Sequence, residues 1–302
     1  MPNALLIALS HNRRLRAFAE RSPLGRRVAR RFVAGESLAD ALAAVEGSRG
    51  AGLTATLDHL GENVTTPAAA EQAAASAAES LEALHARGFE ANVSVKLTQF
   101  GLDLDAALAR RLLRAVAERA AALGGFVRVD MEGSAYTDRT LDLVLAAHAA
   151  GLPVGTVLQS ALRRTAGDAE RLIAAGIRIR LVKGAYREPA SLAFATKAEV
   201  DGSYRRLTER LLAAGNYPAI ATHDPAIIAA SLAAARQQGL PPERFEFQML
   251  YGIRRDLQAS LRRQGWRVRV YVPYGAEWYP YFMRRLAERP ANLLFLLRNL
   301  LR

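Results

Sequence analysis

From residue 51 onward the hydrophobic and polar positions of the chain fall into two alternating patterns. Short runs rich in β-branched and aromatic residues read as strands: LTATLDHLG (53–61), ANVSVKL (91–97), FVRVDME (126–132), VGTVLQ (154–159), IRIRLVKG (177–184), PAIATH (218–223), FEFQML (245–250) and VRVYVPYG (268–275). Between them lie longer alanine- and leucine-rich stretches with the helical period, such as PAAAEQAAASAAESLEALHARG, DAALARRLLRAVAERAAALGG and DRTLDLVLAAHAAG. Several open on a capping residue and close on glycine. Eight strand–helix units in about 250 residues predict a (β/α)8 barrel, and Gly88, Gly125, Gly151, Gly176, Gly215 and Gly239 stand before strands, where such a barrel needs its αβ turns. A doubly wound sheet is the alternative, but it should carry G-x-G-x-x-G after an early strand, and none is present. Residues 1–45 then form a helical arm ahead of a barrel at 46–302, and ANLLFLLRNLLR, 291–302, a short apolar helix after the helix that follows the last strand.

Composition narrows the chemistry. A chain of 302 residues, 51% hydrophobic, can bury a full core in one domain. The absence of cysteine removes disulfides, thiolate metal sites, iron–sulfur clusters and a cysteine nucleophile. No run approaches the roughly 20 apolar residues of a spanning helix, and residues 1–10 are too short for a secretory signal. The expectation is a cytoplasmic chain, or one seated peripherally on the inner face of a membrane. The formal charge is +12, and eight arginines (13, 14, 16, 21, 26, 27, 30, 31) face only Glu20 in the first 35 residues. That segment reads as an arginine-rich transit peptide, a nucleic-acid or anionic-membrane patch, or an amphipathic helix layer with solvated arginines. Only Phe18 and Phe32 interleave with it, so no nucleic-acid partner is expected. Of 41 basic residues only Lys96, Lys183 and Lys197 are lysine. Where arginine fills nearly every cationic position, a remaining lysine marks a place that wants a compact ammonium.

In this fold chemistry gathers where strands end. Glu62, Lys96, Asp130, Gln159, Arg180, Lys183, Thr222, His223, Gln248 and Tyr271 all fall at or near the ends of the eight runs. Arg180 and Lys183 sit in an otherwise apolar strand, where an unpaired charge would cost several kcal/mol. So many cationic donors call for an anionic or electron-rich ligand. After the last strand, YPYFMRRLAERP (279–290) puts Tyr281, Arg284, Arg285 and Glu288 on one helical stripe. Two adjacent guanidinium forks near the barrel mouth can hold a small carboxylate bidentately.

The strings SVKL (94–97), VRVDMEGS (127–134), RLVKGAY (180–186), ATHD (221–224), FEFQMLYG (245–252), YVPYG (271–275) and YFMRRLAE (281–288), in this order, resemble the proline dehydrogenase family. The resemblance implies a barrel that carries FAD across its C-terminal mouth without a Rossmann element and oxidises L-proline to 1-pyrroline-5-carboxylate, the first step of proline catabolism. It implies Arg284 and Arg285 on the proline carboxylate, Lys96 and Asp130 beside the substrate, and Tyr271, Tyr281, Leu250 and Ala185 around the ring. For the cofactor it implies Met131, Gln159, Arg180, Lys183, Gly184, Ala185, Tyr186, Thr222, His223, Gln248 and Glu288, with Arg180 a donor to the flavin. Asp130, Arg180 and Lys96 are the catalytic candidates. Glu62 resembles the acidic half of a gate with Arg284. The resemblance further implies a monofunctional enzyme whose electrons pass to a membrane quinone.

A Schiff-base aldolase or lyase is the chemical alternative, since Lys183, or Lys96 with Asp130, would serve it. A metal-dependent hydrolase is not expected, because of the five histidines only His59 and His223 fall near strand ends. No metal is therefore expected.

Overall fold

The computed structural model describes residues 29–288 apart from Arg187, together with Ser22 and Gly25. The expected arm before residue 29, the tail helix at 291–302 and the side chain of Glu288 lie outside the described residues.

Eight parallel strands close a barrel in chain order: β1 (Thr54–His59), β2 (Asn92–Val95), β3 (Phe126–Val129), β4 (Val154–Gln159), β5 (Arg178–Val182), β6 (Ala219–Ala221), β7 (Glu246–Leu250) and β8 (Val268–Tyr274). Closure is by β1 on β8, in register from Thr54 opposite Arg269 to His59 opposite Tyr274. Around them run α1 (Leu38–Gly50), α2 (Pro67–Ala86), α3 (Ala106–Ala122), α4 (Thr137–Ala149), α5 (Thr165–Ala174), α6 (Lys197–Ala214), α7 (Pro225–Gln237), α8 (Arg255–Arg263) and α9 (Trp278–Glu288). The expected (β/α)8 barrel is the observed fold.

Local chemistry starts these helices where the barrel needs them. Thr66 caps α2 through Ala69 N–H ahead of Pro67, and Thr196 with Glu199 forms a capping box on α6. Asp224 caps α7 just before Pro225. The apolar faces then meet the outside of the sheet: Leu81, Leu113 and Leu141 pack in one core with Val93, Val127 and Ile179. Each such buried side chain contributes about 1.5–3 kcal/mol before the entropy of ordering is counted. A second cluster gathers Ala29, Phe32 and Val33 with Trp278, Tyr279 and Phe282 of α9, so the residues before α1 brace the helix that carries the paired arginines.

Two of the glycine turns differ from expectation. Before β3 it is Gly124, at φ +61, that takes the left-handed conformation. Gly125 is needed for closeness, because a Cβ there would lie 2.4 Å from the Ala91 carbonyl oxygen. Before β6 Gly215 is not left-handed; Tyr217 is, at φ +46, an uncommon conformation for a bulky residue.

Candidate active site

Polar residues at the C-terminal ends of the strands meet one another across the barrel. Arg180 of β5 donates through Nη2 to Ser94 Oγ of β2 at 3.0 Å and through Nε to Gln248 Oε1 of β7. These strands are not neighbours, so the bonds cross the lumen. Its Nη1 meets Asp130 Oδ1 at 2.7 Å, just past β3, and its guanidinium lies 5.2 Å from the ring centre of Tyr271 on β8. Tyr271 Oη in turn donates to Asp130 Oδ2 at 2.7 Å. The several kcal/mol that an unpaired Arg180 would cost are thus offset by a carboxylate and two polar side chains.

Lys96, the residue after β2, completes the network. Its Nζ lies 2.9 Å from Asp58 Oδ1 and 3.5 Å from Asp130 Oδ2. Burial opposes the ammonium, yet Asp58, Asp130 and Glu62 outweigh it and hold the Lys96 pKa above its ordinary value. Asp58 is fully buried, and burial pushes its carboxyl up against the pull of Lys96. Burial, then the negative charges of Asp130 and Asp58, also raise the Tyr271 phenol, which keeps its proton.

A second group of cations lies at the ends of β5 and β6. Lys183 Nζ sits 2.6 Å from Asp201 Oδ1 on α6 and 3.1 Å from Asp224 Oδ2 at the cap of α7. Lys197 closes on the same Asp201. His223 Nε2 accepts the Leu250 backbone N–H at 2.9 Å, so that nitrogen carries no proton in this arrangement. Thr222 is buried beside it, and its Oγ1 accepts the Asp224 N–H at 3.1 Å.

Between these groups the backbone is bare. Gly184 is exposed at φ +115, and a Cβ there would lie 3.1 Å from Gln159 Oε1. Gln159 Nε2 donates to the Glu132 carbonyl at 2.9 Å. Met131 is buried, Ala185 half-buried and Tyr186 exposed. The Glu132 carboxylate, raised by burial, accepts from Thr98 N at 3.2 Å and Oγ1 at 2.6 Å.

Helix α9 covers one side of the mouth. Arg284 grips Glu62, which follows β1, with both η nitrogens at 2.6 and 3.1 Å. Arg285 lies 5.1 Å over the ring of the buried Tyr281, and Leu250 packs against the cluster containing that ring. The stripe of Tyr281, Arg284 and Arg285 faces the protein, with both arginines half-buried.

The structure therefore joins Lys96, Asp130, Arg180, Gln248 and Tyr271 in one bonded network, pairs Glu62 with Arg284, and sets Lys183 in a separate acidic clamp. Sequence reasoning missed Asp58, Ser94, Glu132, Asp201 and Asp224. Asp58 had a signal, since it is an acid inside the apolar run LTATLDHLG. Asp201 had none, being one acid among many on a helix.

A family model described as proline dehydrogenase matches residues 41–298. The chain belongs to the proline dehydrogenase family. It is 44% identical over 284 residues to the proline dehydrogenase of Deinococcus radiodurans, covering 91% of this chain and 90% of that protein. It is 40% identical over 299 residues to proline dehydrogenase 1 of Bacillus subtilis strain 168, covering 99% and 98%. Among solved structures it resembles proline utilization A from Bdellovibrio bacteriovorus, inactivated by N-propargylglycine, with a TM-score of 0.81 and 26% identity. That match covers 87% of this chain but 32% of the larger protein, so the chain spans about a third of its length.

The lyase alternative is not supported. A Schiff-base lysine needs a lowered pKa, whereas Lys96 is held charged between two aspartates and Lys183 sits between two more. Among the described residues no three of histidine, aspartate and glutamate gather as a metal-ligand set, and no helix is long and apolar enough to cross a membrane.

Proposed function

We propose that the chain oxidises L-proline to 1-pyrroline-5-carboxylate with FAD bound across the C-terminal mouth. The observation that carries this reading is the network of Lys96, Asp130, Arg180 and Tyr271 spanning the lumen at the mouth, beside a helix that presents two guanidiniums. The residues present fit a flavin. Arg180, Lys183, His223, Gln159 and Gln248 offer a guanidinium, an ammonium, an imidazole and two amides at or just past the ends of β4 to β7, and the exposed Gly184 follows Lys183 beside Gln159. Met131, Ala185, Tyr186 and Thr222 lie on the same strand ends. Glu288 is carried as a cofactor contact on the sequence resemblance alone.

When bound, the flavin supplies a two-electron acceptor for the hydride that leaves the ring carbon next to the proline nitrogen. The chain's own residues do the rest. Arg285 and Lys96 hold the substrate carboxylate, and Arg284 joins them as the Glu62 pair closes the site. Tyr281, Tyr271, Leu250 and Ala185 wall the five-membered ring and exclude water. Lys96, fixed as an ammonium, favours the unprotonated amine that the reaction needs and cannot itself take the proton. Asp130 holds Arg180, Tyr271 and Lys96 in place, so the positive potential of the two cations is in position where negative charge would develop on the acceptor.

The finer readings concern the acceptor and the location. Electrons leave to a quinone, and the excess of arginine in the sequence of the first 35 residues supports contact with the anionic inner face of a membrane. Anaerobic addition of L-proline to the flavin-loaded protein tests the main reading. It should bleach the flavin absorbance with one pyrroline formed per flavin. A bound flavin that proline leaves oxidised would refute it.

A further inference from the structure

At the N-terminal end of the barrel, opposite the mouth, lies a cavity of about 680 Å³. That volume is in the range of roughly 300–1,000 Å³ typical of small-ligand pockets. Arg178 at the start of β5, Arg262 on α8, Arg267 just before β8 and Arg269 within it line the cavity, against the carboxylates of Glu90 and Glu243. Glu90 is already taken, because Arg269 Nη2 holds it at 2.9 Å while Nε of the same residue holds Glu246. Arg178, Arg262 and Arg267 are exposed, and none is in an ion pair with a carboxylate of the described residues.

Arg178 and Arg267 are held by aromatic rings instead. The guanidiniums of Arg178 and Arg267 lie 5.2 and 5.9 Å from the ring centre of Tyr217, and Arg267 Nη1 donates to its hydroxyl at 3.3 Å. Arg178 also lies 5.2 Å from the ring of Phe126, which meets Arg128 at 4.9 Å. Arg128 is buried, donates to the carbonyls of Thr156 and Arg178, and feels the negative charge of Glu246, which Arg269 holds, against burial and the positive charges of Arg180, Arg269 and Arg178.

Three features make this a built arrangement. Gly155 admits Arg128, since a Cβ there would lie 2.9 Å from its Nη1 and 2.5 Å from the Arg178 carbonyl oxygen. Tyr217 is kept in the left-handed conformation, a strain that persists only where the surroundings impose it and that recurs at ligand clamps. The Asn216 side chain pins that turn through the Gly176 carbonyl at 2.7 Å. The cavity is left with uncompensated positive charge from Arg178, Arg262 and Arg267, at a concave surface that focuses it.

We propose that this cavity is a second binding site, for a compact anion carrying clustered phosphates, of the pyrophosphate or nucleoside diphosphate type. Guanidinium forks pair with phosphate oxygens bidentately, and two of them flanking one ring suit adjoining phosphates better than a single one. A recessed cavity of this size suits a small molecule and not a flat surface. The site lies across the barrel from the mouth and does not depend on the reading given to it.

Isothermal titration of the flavin-loaded protein with inorganic pyrophosphate, and separately with ADP, at fixed salt tests the proposal, and variants of the cavity arginines separate binding here from anion binding at the guanidiniums of the mouth. Saturable binding is expected, weakened about tenfold or more by Arg178→Ala and by Arg262→Glu, and unchanged by Arg110→Ala on α3. The Arg262 change alters only an exposed side chain, so it keeps the test valid if Arg178→Ala does not fold. Equal affinity for the two probes assigns recognition to the phosphates, and tighter ADP adds stacking of the base on a guanidinium. No heat with the parent protein, or binding that both cavity variants retain, overturns the proposal.

Discussion

Replacing Lys96 by methionine keeps most of the side-chain volume and removes the charge that sits 2.9 Å from Asp58 and 3.5 Å from Asp130. Asp58 has no other ion-pair partner among the described residues, and its Oδ2 makes no hydrogen bond. Asp130 keeps Arg180 and Tyr271. The cost is therefore that of one uncompensated buried carboxylate, about 3–5 kcal/mol. At about 2–4 °C per kcal/mol for a domain of this size class, the melting temperature should fall by roughly 6–20 °C. The pH dependence follows from the directions of the shifts. In the parent protein the raised Lys96 pKa means its contribution is complete below about 10.4, the ordinary lysine value, and constant across neutral pH. In the variant Asp58, already raised by burial, rises further. A carboxyl raised in the folded state contributes stability below its unfolded pKa of about 3.9 and loses it as pH climbs through the folded value. The deficit should thus be smaller at about pH 5 than at about pH 8. Circular dichroism melts of both proteins at the two pH values measure it. A deficit under about 1 kcal/mol, or one that grows toward low pH, would refute the reasoning.

Three further substitutions probe the rest of the site. Arg285→Ala should raise KM for proline about 10- to 100-fold, the loss of a hydrogen bond to a charged group, with flavin content unchanged in the absorbance spectrum. Glu62→Ala breaks a half-buried pair with Arg284 whose side chains are 21% and 24% exposed. It should cost no more than about 1 kcal/mol of stability while changing turnover kinetics, so a variant with parental kinetics argues against a gate. Gly184→Ala puts a Cβ on a backbone at φ +115 and 3.1 Å from Gln159 Oε1; flavin retention after dialysis should fall while the far-ultraviolet spectrum stays intact.

Much of this was legible in the chain because a barrel writes itself as strand and helix in strict alternation, and all eight expected runs contain an observed strand. Strand-end reading found Lys96, Asp130, Arg180, Gln248 and Tyr271 for the same reason: a polar residue at the end of an apolar run has nowhere to go but the mouth. The acids were harder. Asp58 sits within its strand, and only its period-2 phase reveals that it turns inward toward Lys96. Asp201 comes from α6 and Asp224 from the cap of α7, so their meeting at Lys183 depends on how two helices pack, which no local pattern encodes. The turn before β6 shows the same limit, because Gly215 is the residue that propensity favours and Tyr217 is the one that tertiary contacts force into the left-handed conformation.

The arginines inside the lower barrel carry a related lesson. FVRVDME and VRVYVPYG each place an arginine within an apolar strand, and alternation directs both inward. Arg269 finds Glu246 and Glu90, whereas Arg128 donates to carbonyls. The barrel interior is thus a ladder of paired charges toward the mouth and an excess of cations toward the opposite end. The sheet holds it because the lumen bonds are nearly all satisfied, the condition under which buried polar networks rigidify a fold.

The account turns on the substrate carboxylate being read by the guanidiniums of α9 and by Lys96. Single-turnover reduction of the bound flavin by L-proline and by L-prolinamide, which keeps the ring and amine but lacks the charge, measures this directly. Loss of these charged contacts predicts an apparent Kd about 100-fold or more weaker for the amide. Equal concentration dependence for the two compounds would contradict the account.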